Sequence, residues 1–132
     1  MADKISFDLV SPEKLLLSEE AVMVTIPGTE GEMGVMAGHA PVITTLRPGT
    51  IRVSGGASPV DTYFVAGGFA EINAAKITVL AEEAVPLKEL DAAALELRIT
   101  SAMATLEGAK LETDRIKGQL VLDFLYTLRT TH

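Results

Sequence analysis

The chain has 132 residues, a length that suits one domain, or two compact units if one of them is small. It contains no cysteine, which excludes disulfides, thiol nucleophiles and Cys-ligated metal centres. There are 11 Lys and Arg residues against 18 Asp and Glu residues, a formal net charge of −7, and no Trp. Such a chain lacks the positive charge and the stacking surface that general nucleic-acid binding requires.

The first 85 residues carry short segments in which apolar and polar residues alternate, the pattern of half-buried β-strands. Ile5, Phe7 and Leu9 are separated by polar residues, and residues 77–79 repeat the pattern near the end of this region. Pro and Gly residues that favour turns separate the segments. We expect eight to ten strands, folded as a sandwich or barrel.

From residue 86 the apolar residues recur with a helical period instead. Asp91 is the predicted N-cap of a first helix and Gly108 its predicted C-cap. Thr113 or Asp114 is expected to cap a second helix, and the short break between the helices folds them into an antiparallel hairpin. The predicted fold class is therefore α+β, mainly β.

The change of period predicts two domains, a β-sandwich domain over residues 1–85 and a helical hairpin domain over residues 86–132. The first carries five basic and eleven acidic residues, and the second six and seven. Two helices alone bury too little to be stable, so we expect the hairpin to dock on the sandwich or on another protein. The start lacks the pattern of a signal peptide and no segment is long and apolar enough for a membrane span, which favours a cytoplasmic protein.

Residues that could form a catalytic or metal site are scarce. His39 stands alone in a Gly- and Pro-rich segment, and the second histidine, His132, is the last residue. A lone histidine of this kind is typical of a structural role or an interface contact. The sequence predicts no catalytic residue, no metal and no cofactor; a freestanding enzyme that uses His39 with an acid such as Glu71 stays as an alternative.

Residues 28–34 are rich in glycine but do not form a phosphate-binding loop. No Lys-Ser or Lys-Thr pair follows them, and Glu30 and Glu32 would repel a phosphate. We expect a rigid, exposed loop with Glu30, Glu32 and Met33 at its tip, which suits docking better than catalysis.

Other glycines predict special backbone geometry. Gly31, Gly34 and Gly38 are expected at left-handed or bulged positions, where glycine is favoured. Gly67 and Gly68 interrupt an apolar run, which predicts a bulge or a close backbone approach.

Two motifs resemble those of a known family. Residues 27–41 fit the pattern P-G-x-x-G-x-x-G-x-x-x-x-H-A-P, and residues 65–72 fit V-x-G-G-F-x-E-I. Both are similar to signatures of the epsilon subunit of bacterial and chloroplast F-type ATP synthases. The resemblance implies a ten-stranded β-sandwich followed by a two-helix hairpin. It also implies a non-catalytic subunit of the central stalk, which links the gamma subunit to the ring of c subunits for proton-coupled ATP synthesis.

The resemblance also assigns partners to two segments. The residues that match the loop facing the c-ring are Glu30, Gly31, Glu32 and Met33. The residues that match the gamma-facing segment are His39, Ala40, Pro41 and Val42. The complex would hold the protein at the cytoplasmic face of the inner membrane without inserting it.

The helical half matches the family less closely. In some relatives an arginine near the start of the first helix helps to bind ATP, but Ala94 stands at that position here. Asp91 and Arg98 are the remaining candidates for a nucleotide contact. In many relatives the hairpin extends towards the alpha and beta subunits and inhibits ATP hydrolysis. The second helix here mixes basic and acidic residues, so weak inhibition and no inhibition are both open alternatives, as is a freestanding ATP sensor.

Overall fold

The computed structural model describes residues 3–57 and 61–131. The chain divides between Leu87 and Lys88 into two compact units. The described residues of the first form ten β-strands, and those of the second form two α-helices. A short 3₁₀ turn, Leu87–Glu89, lies at the division.

The ten strands follow one another at short intervals, as the turn signals predict. Their bounds are β1 Ile5–Val10, β2 Leu15–Ala21, β3 Met23–Gly28, β4 Gly31–Val35, β5 Val42–Leu46, β6 Gly49–Ser54, β7 Thr62–Val65, β8 Gly68–Ile72, β9 Lys76–Ala81 and β10 Ala84–Pro86.

The strands pair in the order β10-β7-β6-β3-β5-β8-β9-β1-β2, and β4 pairs with β3. Strands β3 and β5 share a single register pair, Gly28 with Leu46, and at this point the sheet folds over into two layers. One layer contains β10, β7, β6, β3 and β4, and the other contains β5, β8, β9, β1 and β2. Strand β1 runs parallel to β9, whereas the other paired strands are antiparallel. The predicted β-sandwich is confirmed.

The core lies between the two layers and follows the alternation read from the sequence. Ile5, Phe7 and Leu9 of β1 are fully buried, as are Ile77 and Val79 of β9. Side chains of successive residues point to opposite faces of a strand, so the intervening residues of β1 and β9 form the outer face of their layer.

The double glycine at the start of β8 makes the close approach that was predicted. Gly68 has a φ of +141°, a conformation that strongly favours glycine. A side chain here would also collide with the carbonyl oxygen of Leu80 on β9. The interpretation of Gly34 was wrong, since only Gly31 and Gly38 of the three have a positive φ; Gly34 instead makes room for the Met23 sulfur.

The helical unit consists of α1 Ala92–Gly108 and α2 Glu112–Thr131. Asp91 caps α1 as predicted, because its Oδ1 accepts a hydrogen bond from the Ala94 N–H at 2.9 Å. Gly108 is still helical and the C-cap is Ala109, so the predicted glycine cap was wrong. The second cap was also misplaced, since α2 already begins at Glu112.

The two helices form the predicted antiparallel hairpin. Arg129 near the end of α2 contacts Glu96 near the start of α1, at 3.1 Å. The Tyr126 hydroxyl donates to the Met103 sulfur at 3.8 Å, closer to the turn. The buried residues of the helices all lie away from that turn: Leu95, Ile99, Leu122, Leu125 and Leu128.

Candidate docking surfaces

The acidic turn comprises residues 29–32, which are the connection between β3 and β4 and the first two residues of β4. Thr29 and Glu30 form its exposed tip, and the Thr29 N–H donates to the Thr45 carbonyl of β5 at 3.2 Å. Glu32 forms an ion pair with Arg52 of β6 at 3.2 Å. The turn is thereby tied to both neighbouring strands and presents carboxylates on a fixed backbone.

The sequence predicted Met33 at the tip of this turn, but the residue does not lie there. It packs partly buried against the hydrophobic core, whereas Glu32 is exposed. The reason is the alternation along β4, which sends Met33 and Val35 inward and Glu32 outward. The apolar residue exposed beside the turn is instead Ile43 of β5, at 71%.

A shallow groove separates the acidic turn from β5. It has a volume of about 340 Å³ and is lined by residues 28–33 together with Ile43, Thr44 and Thr45. One wall therefore carries carboxylates and the other an exposed apolar side chain. This combination suits a partner segment that is polar or basic with an apolar neighbour.

The segment His39–Val42 comprises the end of the connection between β4 and β5 and the first residue of β5. Ala40 and Pro41 are exposed and His39 is half-buried. The Gly38 N–H donates to the carbonyl of Ala74 at 2.8 Å, which holds the segment to the turn between β8 and β9. Val42 then begins β5 and is 37% exposed, so the segment offers a short, partly apolar ridge.

His39 has a structural contact of its own. Its Nδ1 lies 2.7 Å from the Ala40 carbonyl oxygen, and a carbonyl only accepts, so Nδ1 carries the proton. No hydrogen bond or ion pair joins His39 to Glu71 among the described residues; Glu71 lies on β8, opposite Ile43 and Thr78. The alternative of an enzyme that uses His39 with Glu71 stays a prediction.

A row of apolar side chains crosses the outer face of the layer β5-β8-β9-β1-β2. Phe69 pairs with Leu80, Leu80 with Val10, and Val10 with Leu15. Phe69, Leu80 and Leu15 are 45%, 37% and 56% exposed. We call Phe69, Leu80, Val10 and Leu15 the apolar row; such a contiguous exposed patch is typical of an interaction site.

A second groove lies at the edge of this row. It has a volume of about 320 Å³, and its lining is mostly apolar, from Val10, Pro12, Phe69 and Leu80. Glu82 also lines this groove. This groove, the edge groove, shares Val10, Phe69 and Leu80 with the apolar row, so the two form one continuous surface.

The same outer face becomes polar on the other side of the row. Asp8 forms an ion pair with Lys76 at 2.9 Å and accepts a hydrogen bond from the Ser18 hydroxyl at 2.7 Å. The hydrogen bond from Lys76, followed by that from Ser18, lowers the pKa of the Asp8 carboxyl from its ordinary value of 3.8. Asp8 therefore stays ionised and the polar edge keeps its charges paired at neutral pH.

The two candidates for a nucleotide contact lie at the start of α1. One carboxylate oxygen of Asp91 is occupied as the helix cap, at 2.9 Å from the Ala94 nitrogen. Arg98 is half-buried one turn further on. A nucleotide-binding role for these residues stays a prediction.

Residues 3–57 and 61–131, which the structure describes, contain no cluster of three His, Asp or Glu side chains that could hold a metal ion. None of their helices combines the length and the hydropathy that a membrane span requires.

The sequence reading did not single out four apolar residues that the structure exposes: Phe69, Leu80, Leu15 and Ile43. For Phe69 a signal existed: Ala70 and Ile72 alternate inward, so Phe69 had to point outward. The sequence could not predict the apolar row itself, because the row depends on which strands are neighbours in the sheet.

Comparison with known proteins explains this architecture. Residues 4–87 match the family described as ATP synthase, Delta/Epsilon chain, beta-sandwich domain. The chain is 53% identical over 131 residues to the ATP synthase epsilon chain of Parvibaculum lavamentivorans, covering 99% of both chains. It is 51% identical over 123 residues to the epsilon chain of Paramagnetospirillum magneticum, covering 92% of each.

Solved structures agree with these matches. A chain of the Euglena gracilis mitochondrial ATP synthase, solved as OSCP/F1/c-ring, matches with a TM-score of 0.73 and 32% identity over 97% of this chain and 81% of that one. A chain of the Tetrahymena thermophila mitochondrial ATP synthase central stalk and c-ring shares the fold, with a TM-score of 0.71 at 13% identity over 96% and 97%. The chain belongs to the ATP synthase epsilon chain family.

Proposed function

We propose that this chain is a non-catalytic rotor subunit of an ATP synthase, which joins the gamma subunit to the c-ring during proton-coupled ATP synthesis. The observation that carries the proposal is the 53% identity to an epsilon chain over 99% of both chains. The solved structures of similar chains come from assemblies described by their c-ring and central stalk. The complex would hold the subunit at the cytoplasmic face of the inner membrane.

The acidic turn and the Met33 that follows it are the proposed contact with the c-ring. The support is chemical: Glu30 is exposed at the tip, and Glu32 is exposed but held by Arg52 at 3.2 Å. Fixed carboxylates suit the polar loops of a ring, since they can accept charge-assisted hydrogen bonds without first being ordered. Met33 would contribute indirectly, because its side chain packs against the core and supports the strand that carries Glu32.

The segment His39–Val42 is the proposed contact with gamma. Ala40, Pro41 and Val42 are exposed, and the backbone is fixed by the Gly38–Ala74 hydrogen bond of 2.8 Å. Torque passing from ring to shaft requires a joint that is broad and stiff. An interface of about 1,200–2,000 Å² is ordinary for a stable contact.

The experiment is a titration of the full chain with purified gamma, read by mass in solution. We expect a complex of one chain with one gamma at micromolar concentration, lost when the sandwich is unfolded. The matched variant is His39→Ala, which we expect to keep most of the binding, since one contact among many is removed. Absence of a complex with the unaltered chain would contradict the proposal.

The hairpin has a separate proposed role, a weak effect on ATP hydrolysis or none. A chain that ends after Val85 should therefore preserve coupled ATP synthesis and change hydrolysis only modestly in the reconstituted complex. Its control is the full chain reconstituted in the same way. A large loss of coupled synthesis would show instead that the hairpin is part of the joint.

Nucleotide binding at Asp91 and Arg98 has its own test. Ala94 replaces the arginine that some relatives use, and Asp91 already caps α1 at 2.9 Å from the Ala94 nitrogen. We therefore expect no measurable heat when the chain is titrated with ATP and Mg²⁺. Heat that disappears in Arg98→Ala would revive the alternative of an ATP sensor.

A further inference from the structure

We propose that Met103 on α1 is a site of reversible oxidation by peroxides, and that the sulfoxide formed there ties the two helices of the hairpin more tightly together through the Tyr126 hydroxyl of α2. The inference concerns the helical unit alone and is independent of the rotor role and the partners proposed above. It rests on the exposure of one sulfur atom and on the donor that faces it.

Exposure separates the methionines that the structure describes into two classes. Met36 and Met103 are 50% and 44% exposed, whereas Met23 and Met33 are half-buried. Met33 packs against the sandwich core, and the Met23 sulfur fills the space that a side chain at Gly34 would need. Exposure controls how easily an oxidant reaches a sulfur atom, so we expect Met36 and Met103 to be oxidised first.

The Met103 sulfur faces a hydrogen-bond donor on the opposite helix. The Tyr126 hydroxyl donates to Sδ at 3.8 Å, although a thioether sulfur is only a weak acceptor. The Tyr126 ring lies under the Arg129 guanidinium, whose Cζ is 4.9 Å from the ring centroid, and Arg129 pairs with Glu96 of α1 at 3.1 Å. The hydroxyl is therefore held in place and directed at the atom that would gain an oxygen.

These contacts link the helices in one chain, which contains Glu96, Arg129, Tyr126 and Met103. The first contact is an ion pair and the second a cation–π contact, whereas the last is the weak hydrogen bond to sulfur. The last contact is therefore the one that a stronger acceptor would improve most.

The reaction with a peroxide forms the sulfoxide in one balanced step. The sulfur lone pair attacks one oxygen of hydrogen peroxide, so that an S–O bond forms and the O–O bond breaks. The departing hydroxide takes the proton from the oxygen now bound to sulfur, which leaves the sulfoxide and one water. The sulfur loses two electrons and the peroxide gains them. A methionine sulfoxide reductase reverses the change with two electrons from thiols.

Oxidation replaces a weak acceptor by a strong one at a place that solvent already reaches. A sulfoxide in a core would be costly, because a buried polar group loses its hydration, but the Met103 side chain is exposed and does not incur this cost. The rotatable bonds of a methionine let either sulfoxide epimer turn its oxygen towards the Tyr126 hydroxyl. The oxidised hairpin should therefore open less often than the reduced one.

The test uses the full chain with Met36→Leu, so that Met103 is the exposed methionine that remains among the described residues. Peptide mass spectrometry follows oxygen uptake in dilute hydrogen peroxide, and we expect Met103 to react well before Met23 and Met33. Hydrogen exchange of the α2 amides then compares the oxidised and reduced chains. Exchange should be slower by about two- to tenfold in the oxidised chain, the effect of one ordinary hydrogen bond, and the reductase should restore the original rate.

Tyr126→Phe is the matched variant, because it removes the hydroxyl and keeps the ring under Arg129. Its Met103 should take up oxygen as before, but its α2 amides should not exchange more slowly after oxidation. Equal slowing with and without the hydroxyl would overturn the proposal, as would unchanged or faster exchange in the oxidised chain that contains Tyr126. Oxidation of Met103 no faster than that of the half-buried methionines, or slow exchange that persists after the reductase has removed the oxygen, would contradict it as well.

Met103→Gln gives a second measurement that needs no oxidant. Glutamine carries a carbonyl oxygen that accepts hydrogen bonds, and its helix propensity is close to those of methionine and leucine. We expect slower exchange of the α2 amides in Met103→Gln than in Met103→Leu, and no such difference when both also carry Tyr126→Phe. Circular dichroism establishes whether each variant is folded. If Tyr126→Phe is not folded, equal exchange in the Gln and Leu variants of Met103 would still overturn the inference.

Discussion

The sandwich and the hairpin bury their apolar residues in different ways. In the sandwich, alternating residues of both layers enclose a core in which Ile5, Phe7 and Leu9 are completely buried. In the hairpin, the buried residues lie away from the turn, and Ile116 near the turn is 55% exposed. The stability of the sandwich thus comes from its enclosed core, whereas the stability of the hairpin near its turn depends mainly on helix formation itself. The comparison teaches that equal substitutions should have unequal costs in the two units.

The largest effect is expected where the sandwich is most constrained. Gly68→Ala should lower the free energy of unfolding of the sandwich by about 4 kcal/mol or more, because backbone strain is joined by a collision with the Leu80 carbonyl. Urea denaturation measures the loss.

Gly31→Ala is a close control for this substitution. Gly31 has a φ of +139°, against +141° for Gly68, but an added methyl group there meets no atom within 4 Å. We expect a loss of about 1–3 kcal/mol from backbone strain alone. Equal losses in the two variants would show that the contact with β9 has no energetic effect.

A smaller effect is expected in the hairpin, and it should depend on position. Leu125→Ala removes a buried side chain and should lower the free energy of opening of α2 by about 2–4 kcal/mol. Ile116→Ala near the turn should change it by less than about 0.5 kcal/mol. Hydrogen exchange of the α2 amides measures both, and similar losses would refute the difference between the two ends of the hairpin.

Gly118 tests how closely the helices approach each other. Alanine favours the helix by about 1 kcal/mol, but its methyl group would lie 3.3 Å from the Leu106 Cδ1. Leu106 is only half-buried and can move, so we expect α2 to gain about 0.5–1 kcal/mol of opening free energy. A loss that disappears when Leu106 is also replaced by alanine would show that the contact is rigid.

The smallest effect concerns the polar edge of the sandwich. Asp8→Asn removes the ion pair with Lys76 and should cost less than about 1 kcal/mol at neutral pH, since Lys76 is exposed to solvent. The folded-state pKa of Asp8 lies below 3.8, so its contribution is full well above pH 3.8 and disappears as the pH falls through the folded-state value. Urea denaturation at pH 7 and pH 3 should show the difference between the two proteins shrinking; a constant difference would contradict the assignment.

Much of the fold was predictable because it depends on local patterns. The alternation of Ile5, Phe7 and Leu9 specifies a half-buried strand, and Asp91 before three alanines specifies a helix start. The errors have local causes as well. The chain leaves α1 through Ala109 in an extended conformation, so the helix end does not need a left-handed glycine, and Met33 follows the pleat of β4. The acidic turn was found from its glycines.

The apolar row could not be predicted in the same way. Val10, Phe69 and Leu80 are far apart in sequence, and each looks like an ordinary strand residue in its own segment. They become neighbours only through the order β8-β9-β1, which includes a parallel pair that no turn specifies. Local propensities fix the strands, but the order of the strands creates the surface.

That parallel pair also bears on synthesis. Strand β1 lies between β9 and β2, and Ser6 is paired with Lys76. Strand β1 is therefore translated well before β9, and it cannot complete its pairing in the sheet until β9 has been translated. At about 5–20 residues per second, this leaves an apolar hairpin of β1 and β2 uncovered for seconds in the nascent chain, where a chaperone could bind it.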